Sequence, residues 1–339
     1  MSALLEKIRG GDRKSLARAM SLVERASSEA REVKEALRLS TGNVPWWGFT
    51  GPPGVGKSTL IDTLISRIRS DGQRVGVIAV DPTSSLTNGA LLGDRVRMMR
   101  HSTDLDVFIR SLATHRCEGG LSDATIHCAR LLEVAGYDPI VIETVGVGQN
   151  EVDVSTIADI CAVILAPGFG DDIQLLKAGL LEIADLVVVN KCDLPDANRL
   201  LQAIHAELAL SSLSDEDTGE AKEVHANAPS HRVDVLGIEA ISEKGVEALL
   251  GKLREQDAIA RLPDRRQQHN RRRLLGEMRR SAATALERAL GEGLSAPLAT
   301  ELINRVERGE LPLDEAVVQL VSDGLSALNT DRRQRTTAG

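Results

Sequence analysis

The sequence has few aromatic residues and no long apolar run. Two tryptophans, one tyrosine and three phenylalanines make up 2% of its 339 residues. Proteins that bind RNA or single strands stack bases on aromatic side chains, so this composition argues against such a platform. No apolar run reaches the roughly 20 residues that a membrane-spanning helix needs. We therefore expect neither a nucleic-acid partner nor a membrane.

Positive charge is also scarce. The chain has 41 lysines and arginines against 49 acidic residues, a formal net charge of −8, so non-specific binding to nucleic acid is not expected. One stretch, Arg265 to Arg280, concentrates arginines on a predicted helix, but no aromatics interleave it. We interpret this stretch as a solvated helix face or a subunit contact, with a nucleic-acid patch as the weaker alternative.

Cysteine and histidine clusters are lacking as well. The four cysteines are far apart in sequence, and the seven histidines show no metal-ligand spacing. The first ten residues lack the apolar segment of a secretory signal. We expect reduced thiols in a cytoplasmic protein. The cysteines are Cys117, Cys128, Cys161 and Cys192.

The most informative stretch is Gly51–Thr59, GPPGVGKST, which fits the P-loop pattern. Glycines let backbone N–H groups converge on phosphate oxygens, and the helix that follows points its positive end at the same charge. Lys57 is placed to reach the β- and γ-phosphates, and the Ser58 hydroxyl to hold Mg²⁺. The residues expected to bind the nucleotide here are Gly51, Gly54, Val55, Gly56, Lys57, Ser58 and Thr59.

Apolar strands alternate with amphipathic helices from Val44 to about Leu250. This alternation predicts an α/β fold with a mostly parallel sheet flanked by helices. Together with the P-loop and the Asn190–Asp193 motif described below, it indicates a P-loop NTPase G domain. The predicted strands are Val44–Thr50, Val75–Val80, Val107–Arg110, Pro139–Glu143, Ile160–Ala166, Leu186–Asn190 and Val233–Ala240. The polar stretch Ser211–Pro229 is expected to be an irregular surface excursion.

Helical extensions are predicted at both ends. We assign residues 1–43 to an N-terminal helical segment in which Asp12 caps the second helix, and residues 44–260 to the G domain. Residues 261–330 form a C-terminal helical arm that includes helices over Ala296–Arg308 and Leu313–Leu328, with prolines near their starts. Residues 331–339 are expected to be a disordered tail.

A second motif, Asn190-Lys-Cys-Asp193, follows an apolar strand. The Asp193 carboxylate can accept hydrogen bonds from N1–H and the exocyclic amino group of guanine, a donor pair that adenine lacks. Asn190 can bond the base edge or brace the P-loop, and the Lys191 stem can lie over the purine. This motif in a P-loop chain predicts GTP rather than ATP as the nucleotide.

Acidic residues end two other strands or lie in the loops after them. Asp81 closes the second strand, Asp94 lies in the following loop, and Glu143 closes a further strand. Glu143-Thr-Val-Gly146 occupies the place of the DxxG element of GTPases. Carboxylates at these places suit Mg²⁺, directly or through water. Val147 stands where many GTPases carry a water-orienting glutamine, so we expect slow intrinsic hydrolysis, with nearby Gln149 as a substitute.

Four stretches resemble the MeaB/ArgK/MMAA family of P-loop GTPases. They are the N-terminal Arg9–Arg18, a first switch in Val80–Ser84 with Leu92–Asp94, a second switch in Val141–Gln149, and a third in Ala166–Gln174 with Lys177–Gly179. The resemblance covers most of the chain. Members of this family are chaperones of adenosylcobalamin-dependent acyl-CoA mutases, chiefly methylmalonyl-CoA mutase.

The resemblance implies a homodimer built largely by the C-terminal arm, and GTP-dependent gating of cofactor loading with protection or reactivation of the mutase. It implies that Asp81, Asp94 and Glu143 serve Mg²⁺ and hydrolysis together with Lys57 and Ser58. The guanine-capping loop would contain Ala240, preceded by Glu239 where the family usually has serine. The switch positions that would contact the partner are Gln149, Gly168, Asp171, Asp172, Gln174 and Lys177.

The sequence therefore predicts a Mg²⁺-dependent GTPase that switches a mutase partner. Two alternatives come from other classes. A GTP-dependent metallochaperone would want a histidine- or cysteine-rich metal store, which this sequence does not contain. A kinase of a transport protein would not need the guanine preference that Asp193 indicates.

Overall fold

Seven strands form one sheet in the order β3-β2-β4-β1-β5-β6-β7, and each neighbouring pair is parallel. The computed structural model describes residues 2–24, 28–38, 44–82, 99–114, 123–144, 150–168, 181–218, 233–294 and 297–322. The strands are β1 (Trp46–Thr50), β2 (Val75–Pro82), β3 (Val107–Thr114), β4 (Ile140–Thr144), β5 (Ile160–Leu165), β6 (Leu186–Val189) and β7 (Asp234–Gly237). All seven predicted strands are present, with ends shifted by a few residues.

Helices make up much of the rest of the described residues. They are α1 (Ser2–Arg9), α2 (Arg13–Glu24), α3 (Ser28–Arg38), α4 (Lys57–Ser70), α5 (Asp123–Val134), α6 (Asn150–Ile157), α7 (Ala197–Thr218), α8 (Val246–Ala260), α9 (Pro263–Leu294) and α10 (Pro297–Glu307). A further helical run covers residues 313–322. The predicted α/β class with helical extensions at both ends is confirmed. No helix within the described ranges has the length and apolar character needed to cross a membrane.

Two apolar layers enclose the sheet. One layer lies between the sheet and helices that include α2 and α5. The other layer lies between the sheet and helices α4 and α8. The helical spacing of Leu60, Ile61 and Leu64 directs one stripe of α4 into this second layer, where all three side chains are buried. Burial on both faces explains why the central strands β1, β4 and β5 are almost wholly apolar.

The N-terminal helices begin as the sequence predicts. Asp12 precedes α2, and its carboxylate accepts hydrogen bonds from Lys14 N at 3.1 Å and Ser15 Oγ at 2.6 Å. The bond from Ser15 is the main cause that lowers the pKa of Asp12 below its usual value. The predicted helix cap is therefore confirmed.

Packing divides the chain into a unit of residues 1–272 and a unit of residues 273–339. In the second unit, Leu302, Leu311 and Ala316 form a small core of their own. Pro297 is the first residue of α10, a position where its missing N–H costs no hydrogen bond. The four-part division proposed from composition stays a prediction, and its tail, residues 331–339, lies outside the described residues.

Two expectations about polar stretches were wrong in part. Residues 211–218 are helical, because α7 continues to Thr218 without a glycine or proline to end it; residues 219–232 lie outside the described part. The expectation of a solvated helix face for the arginine-rich stretch fails at Arg266, which is buried and whose Nη1 donates to Asp159 Oδ2 at 3.0 Å. Because Asp159 comes before β5, more than 100 residues earlier in the chain, local patterning could not reveal this pair. The alternative of a subunit contact stays a prediction.

Candidate functional site

The P-loop joins β1 to α4 through three glycines with positive φ. The φ angles of Gly51, Gly54 and Gly56 are 137°, 80° and 97°. A Cβ on Gly51 would lie 2.0 Å from Ile164 O, and one on Gly56 would lie 2.5 Å from Asn190 Nδ2. Side chains are therefore excluded at Gly51 and Gly56 both by backbone conformation and by close neighbours.

Lys57 is the first residue of α4 and is bonded to the loop that precedes it. Its Nζ donates to Gly51 O at 2.7 Å and to Pro52 O at 2.9 Å. The side chain is buried, so the loop carbonyls hold the ammonium at the N-terminal end of the helix. Two positive features, the ammonium and the helix N-terminus, thus lie together where an anion would be stabilised.

Ser58 and Glu143 meet although they are 85 residues apart. Ser58 Oγ donates to Glu143 Oε1 at 2.6 Å, and both residues are buried. The register of the sheet explains the contact, because Phe49 of β1 lies opposite Glu143 of β4. A hydroxyl and a carboxylate oxygen are the hard ligands that Mg²⁺ prefers, so the donor set fits this ion.

Asn190 connects three parts of the site. Its Nδ2 donates to Val55 O at 2.9 Å, while its Oδ1 accepts from Lys191 N at 2.8 Å and from Ala240 N at 3.0 Å. The side chain is buried. One amide therefore ties the P-loop to the segments that follow β6 and β7, and all three of these bonds are made to backbone atoms.

A pocket lies beside this amide. Its lining residues are Gly56, Thr59, Asn190, Lys191, Asp193, Glu239, Ala240, Ile241 and Ser242. Asp193 is exposed at this pocket. Lys191 has a φ of 59°, which is rare for a residue with a side chain, and its Nζ donates to Gly54 O at 2.8 Å. The motif after β6 thus contacts the P-loop through two side chains.

The chain turns sharply after β7, although the sequence predicted a strand to Ala240. The strand ends at Gly237, and Glu239 forms an isolated antiparallel bridge with Lys244. Thr63 Oγ1 donates to Ala240 O at 3.2 Å, which anchors the turn to α4. Sequence patterning did not single out Thr63 of α4, or Ile241 and Ser242 after β7, because these three residues belong to no short motif.

The other predicted positions are described only in part. Asp81 lies in β2 opposite Ala113, and its side chain is not described; Gly168 is exposed with a φ of 92°. Some predicted switch and metal residues fall outside the described residues. These are Asp94, Gly146, Gln149, Asp171, Asp172, Gln174 and Lys177.

A second polar cluster, which the sequence did not predict, surrounds Asp159 just before β5. Its carboxylate accepts from Trp46 N at 2.8 Å and from Arg266 Nη1 at 3.0 Å, and lies 2.7 Å from His269 Nδ1. Arg266 Nη2 also lies 3.3 Å from Glu133 Oε1. Because β1 and β5 are parallel and begin here, this cluster lies at the edge of the sheet opposite the P-loop.

Comparison with known proteins identifies the family. The sequence profile described as "Methylmalonyl Co-A mutase-associated GTPase MeaB" matches residues 16–293. The chain belongs to the MeaB family of GTPases. The resemblance inferred from the P-loop, the second motif and the switch stretches is therefore confirmed, and so is the assignment as a GTPase.

Two individual proteins and one solved structure are similar to this chain. A protein of Pyrococcus abyssi named as a GTPase is 39% identical over 327 residues, which cover 95% of this chain and 98% of that protein. The GTPase ArgK of Escherichia coli is 40% identical over 193 residues, 56% of this chain and 58% of ArgK. A crystal structure titled LAO/AO transport system kinase has a TM-score of 0.65 at 24% identity, covering 95% and 96% of the two chains, and shares the fold.

Proposed function

We propose that this GTPase is Mg²⁺-dependent, hydrolyses GTP to GDP and phosphate, and uses the cycle to act on an adenosylcobalamin-dependent acyl-CoA mutase. The proposal has a nucleotide half, Mg²⁺-dependent GTP hydrolysis, and a partner half, action on a mutase. The main support for the nucleotide half is the hydrogen bond between Ser58 Oγ and Glu143 Oε1, next to the buried Lys57. The main support for the partner half is the family's association with methylmalonyl-CoA mutase.

Each part of the phosphate site has a distinct task in this proposal. The Lys57 ammonium and the N–H groups of the glycine loop bind the β- and γ-phosphates. Ser58 donates its proton to the Glu143 carboxylate in a hydrogen bond, which leaves the lone pairs of its oxygen for a metal ion. Mg²⁺ held by Ser58 and Glu143, together with Asp81 and Asp94, would neutralise charge on the phosphates. Catalysis then consists of positioning and charge stabilisation.

The pocket beside Asn190 is the proposed guanine site. Asp193 accepts hydrogen bonds from N1–H and the exocyclic amino group of the base, and the Lys191 stem covers the ring. The bonds that join Asn190 to Val55, Lys191 and Ala240 support this role, because they fix the pocket wall to the phosphate loop. A base that cannot supply both donors leaves the carboxylate unpaired, which disfavours its binding.

The nucleotide half is tested by exchanging the base specificity. Asp193→Asn replaces an acceptor with an amide that can donate to the 2-carbonyl of xanthine. We expect the wild type to prefer GDP over ADP and XDP, and the variant to prefer XDP. A variant that keeps the wild-type order of GDP and XDP would contradict the assignment of Asp193.

The partner half is tested by complex formation. The full chain is mixed with purified methylmalonyl-CoA mutase in the presence of GDP or of a non-hydrolysable GTP analogue, and the mixtures are compared by size-exclusion chromatography. We expect co-elution that differs between the two nucleotide states. Separate elution in both states would overturn the choice of this mutase.

A further inference from the structure

One row of side chains on α4 faces the segment 239–244, which we call the β7 loop. Thr59, Thr63 and Arg67 are spaced four residues apart, so they lie on one face of the helix. Thr59 lines the pocket beside Asn190, and the other two side chains contact the β7 loop. The helix that begins at the P-loop therefore also supports the loop that forms part of this pocket.

Thr63 holds the β7 loop at Ala240. The Thr63 hydroxyl is buried and lies 3.2 Å from Ala240 O and 3.1 Å from Thr59 O, so its single hydrogen bridges the loop and the helix. Ala240 is also buried, and its N–H donates to Asn190 Oδ1 at 3.0 Å. The two backbone polar groups of Ala240 are thus bonded, one to α4 and the other to the proposed guanine motif.

Arg67 holds the same loop one helical turn further along α4. Its Nη2 donates to Glu243 Oε2. Glu243 has a φ of 62°, a backbone conformation that is unfavourable for a residue with a side chain. The two side chains are 43% and 44% exposed, so we expect this ion pair to contribute less than the buried Thr63 hydroxyl.

We propose that Thr63 and Arg67 are positioning residues for base binding, because they hold the β7 loop against α4 and thereby slow the release of guanine nucleotide. The inference rests on the proposed guanine site beside Asn190. Residues 240–242 of the loop line that pocket, so a bound base leaves more easily once the loop moves away from the helix. Neither Thr63 nor Arg67 is among the described residues that line the pocket, and each acts on the base through the loop.

Thr63→Val removes the hydroxyl and keeps the shape of the side chain. Because the buried Ala240 carbonyl then loses its partner on α4, we expect GDP release to become about tenfold faster, with the association rate changed less than about twofold. Thr63→Ser keeps a hydroxyl that can reach the same carbonyl, so its release rate should stay within about twofold of the wild type.

Arg67→Met removes the second contact between α4 and the β7 loop. We expect GDP release to accelerate only about two- to threefold, since the lost ion pair is exposed. Exchange of the two charges, in Arg67→Glu with Glu243→Arg, should restore slow release because an ion pair can form again. Addition of Thr63→Val to Arg67→Met should give faster release than either change alone.

Inorganic pyrophosphate separates this role from a general loss of structure. It can occupy the P-loop but has no base, so its affinity should be the same in the wild type, Thr63→Val and Arg67→Met. Thr103→Val, at an exposed position, is the control for the loss of a hydroxyl. Arg254→Met is the control for the loss of an ion pair, because Arg254 pairs with Asp71 at the end of α4 and these side chains are 41% and 48% exposed. Both controls should release GDP at the wild-type rate.

The experiment follows the release of a fluorescent GDP derivative from the full-length wild type and the variants by stopped flow. Isothermal titration measures pyrophosphate affinity in the presence of Mg²⁺, and thermal melting checks folding. A wild-type release rate in Thr63→Val would overturn the proposal. Equal losses of GDP and pyrophosphate affinity in this variant would also overturn it, because the hydroxyl would then support the helix and not the base.

The Arg67 variants decide the question if Thr63→Val does not fold. A wild-type release rate in Arg67→Met, or fast release that the exchanged charges do not slow, would then overturn the proposal. A wild type that binds GDP no more tightly than pyrophosphate would instead contradict the proposed guanine site itself.

Discussion

Gly56 and Asn190 approach so closely that a Cβ on the glycine would lie 2.5 Å from Asn190 Nδ2. The same nitrogen donates to Val55 O at 2.9 Å, so the amide cannot move aside without breaking this bond. The Asn190 side chain therefore fits the proposed guanine motif closely against the phosphate loop.

Gly56→Ala is expected to weaken GDP binding by about tenfold or more, because the methyl group displaces a buried amide that braces the loop. Gly72→Ala is the matched control, since Gly72 also has a positive φ, 76°, but has no atom within 4 Å of the place that a Cβ would take. Both variants lose about 1–2 kcal/mol of stability through backbone strain. Isothermal titration measures the binding, and equal affinities in the two variants would refute the contact's importance.

Glu143→Gln is expected to lower kcat for GTP hydrolysis by about a hundredfold, because the amide keeps an acceptor for Ser58 but loses the charge that favours Mg²⁺. GDP affinity should change only a few-fold, since the P-loop contacts remain. Steady-state phosphate release at several Mg²⁺ concentrations measures the effect. A wild-type kcat in Glu143→Gln would contradict the proposed role of Glu143 in hydrolysis. The control variant Glu247→Gln, at an exposed position on α8, should hydrolyse GTP at the wild-type rate.

Arg266→Met is expected to destabilise the fold by about 3–5 kcal/mol, because the Asp159 side chain is 0% exposed and would be left as a buried charge without its arginine partner. Arg271→Met, an exposed position on the same helix α9, should cost less than about 0.5 kcal/mol. Urea unfolding compares the two. Adding Asp159→Asn to Arg266→Met should restore part of the lost unfolding free energy. If the double variant is no more stable than Arg266→Met, the unpaired charge of Asp159 is not the cause of the destabilisation.

Acid should weaken the fold partly through Asp104. The hydrogen bond from Arg69 is the main cause that lowers the pKa of Asp104 below 3.8. When the pKa of a carboxyl group is lower in the folded chain than in the unfolded chain, the group stabilises the fold at a pH above its unfolded pKa. This stabilisation is lost as the pH falls through the folded pKa. Asp104→Asn should therefore lose less stability than the wild type between about pH 6 and about pH 3. Parallel losses in urea melts at these two pH values would contradict this contribution.

The sequence reveals the parts of the site that short motifs encode. Gly51–Thr59 and Asn190–Asp193 could be found because their residue types and spacing meet a fixed chemical need, and the apolar alternation placed each of them after a strand. The contacts Thr63–Ala240 and Asp159–Arg266 could not be found, because tertiary packing brings these residues together from distant parts of the chain. The expectation of a solvated helix face over Arg265–Arg280 failed at Arg266 for the same reason, since its buried partner lies 107 residues away.

GTP turnover with and without purified methylmalonyl-CoA mutase tests the central claim most directly, with ATP as the control nucleotide. We expect slow Mg²⁺-dependent hydrolysis of GTP alone, no comparable use of ATP, and a rate that the mutase raises about tenfold or more. A GTP rate that is the same with and without the mutase would contradict the account of a switch acting on this partner.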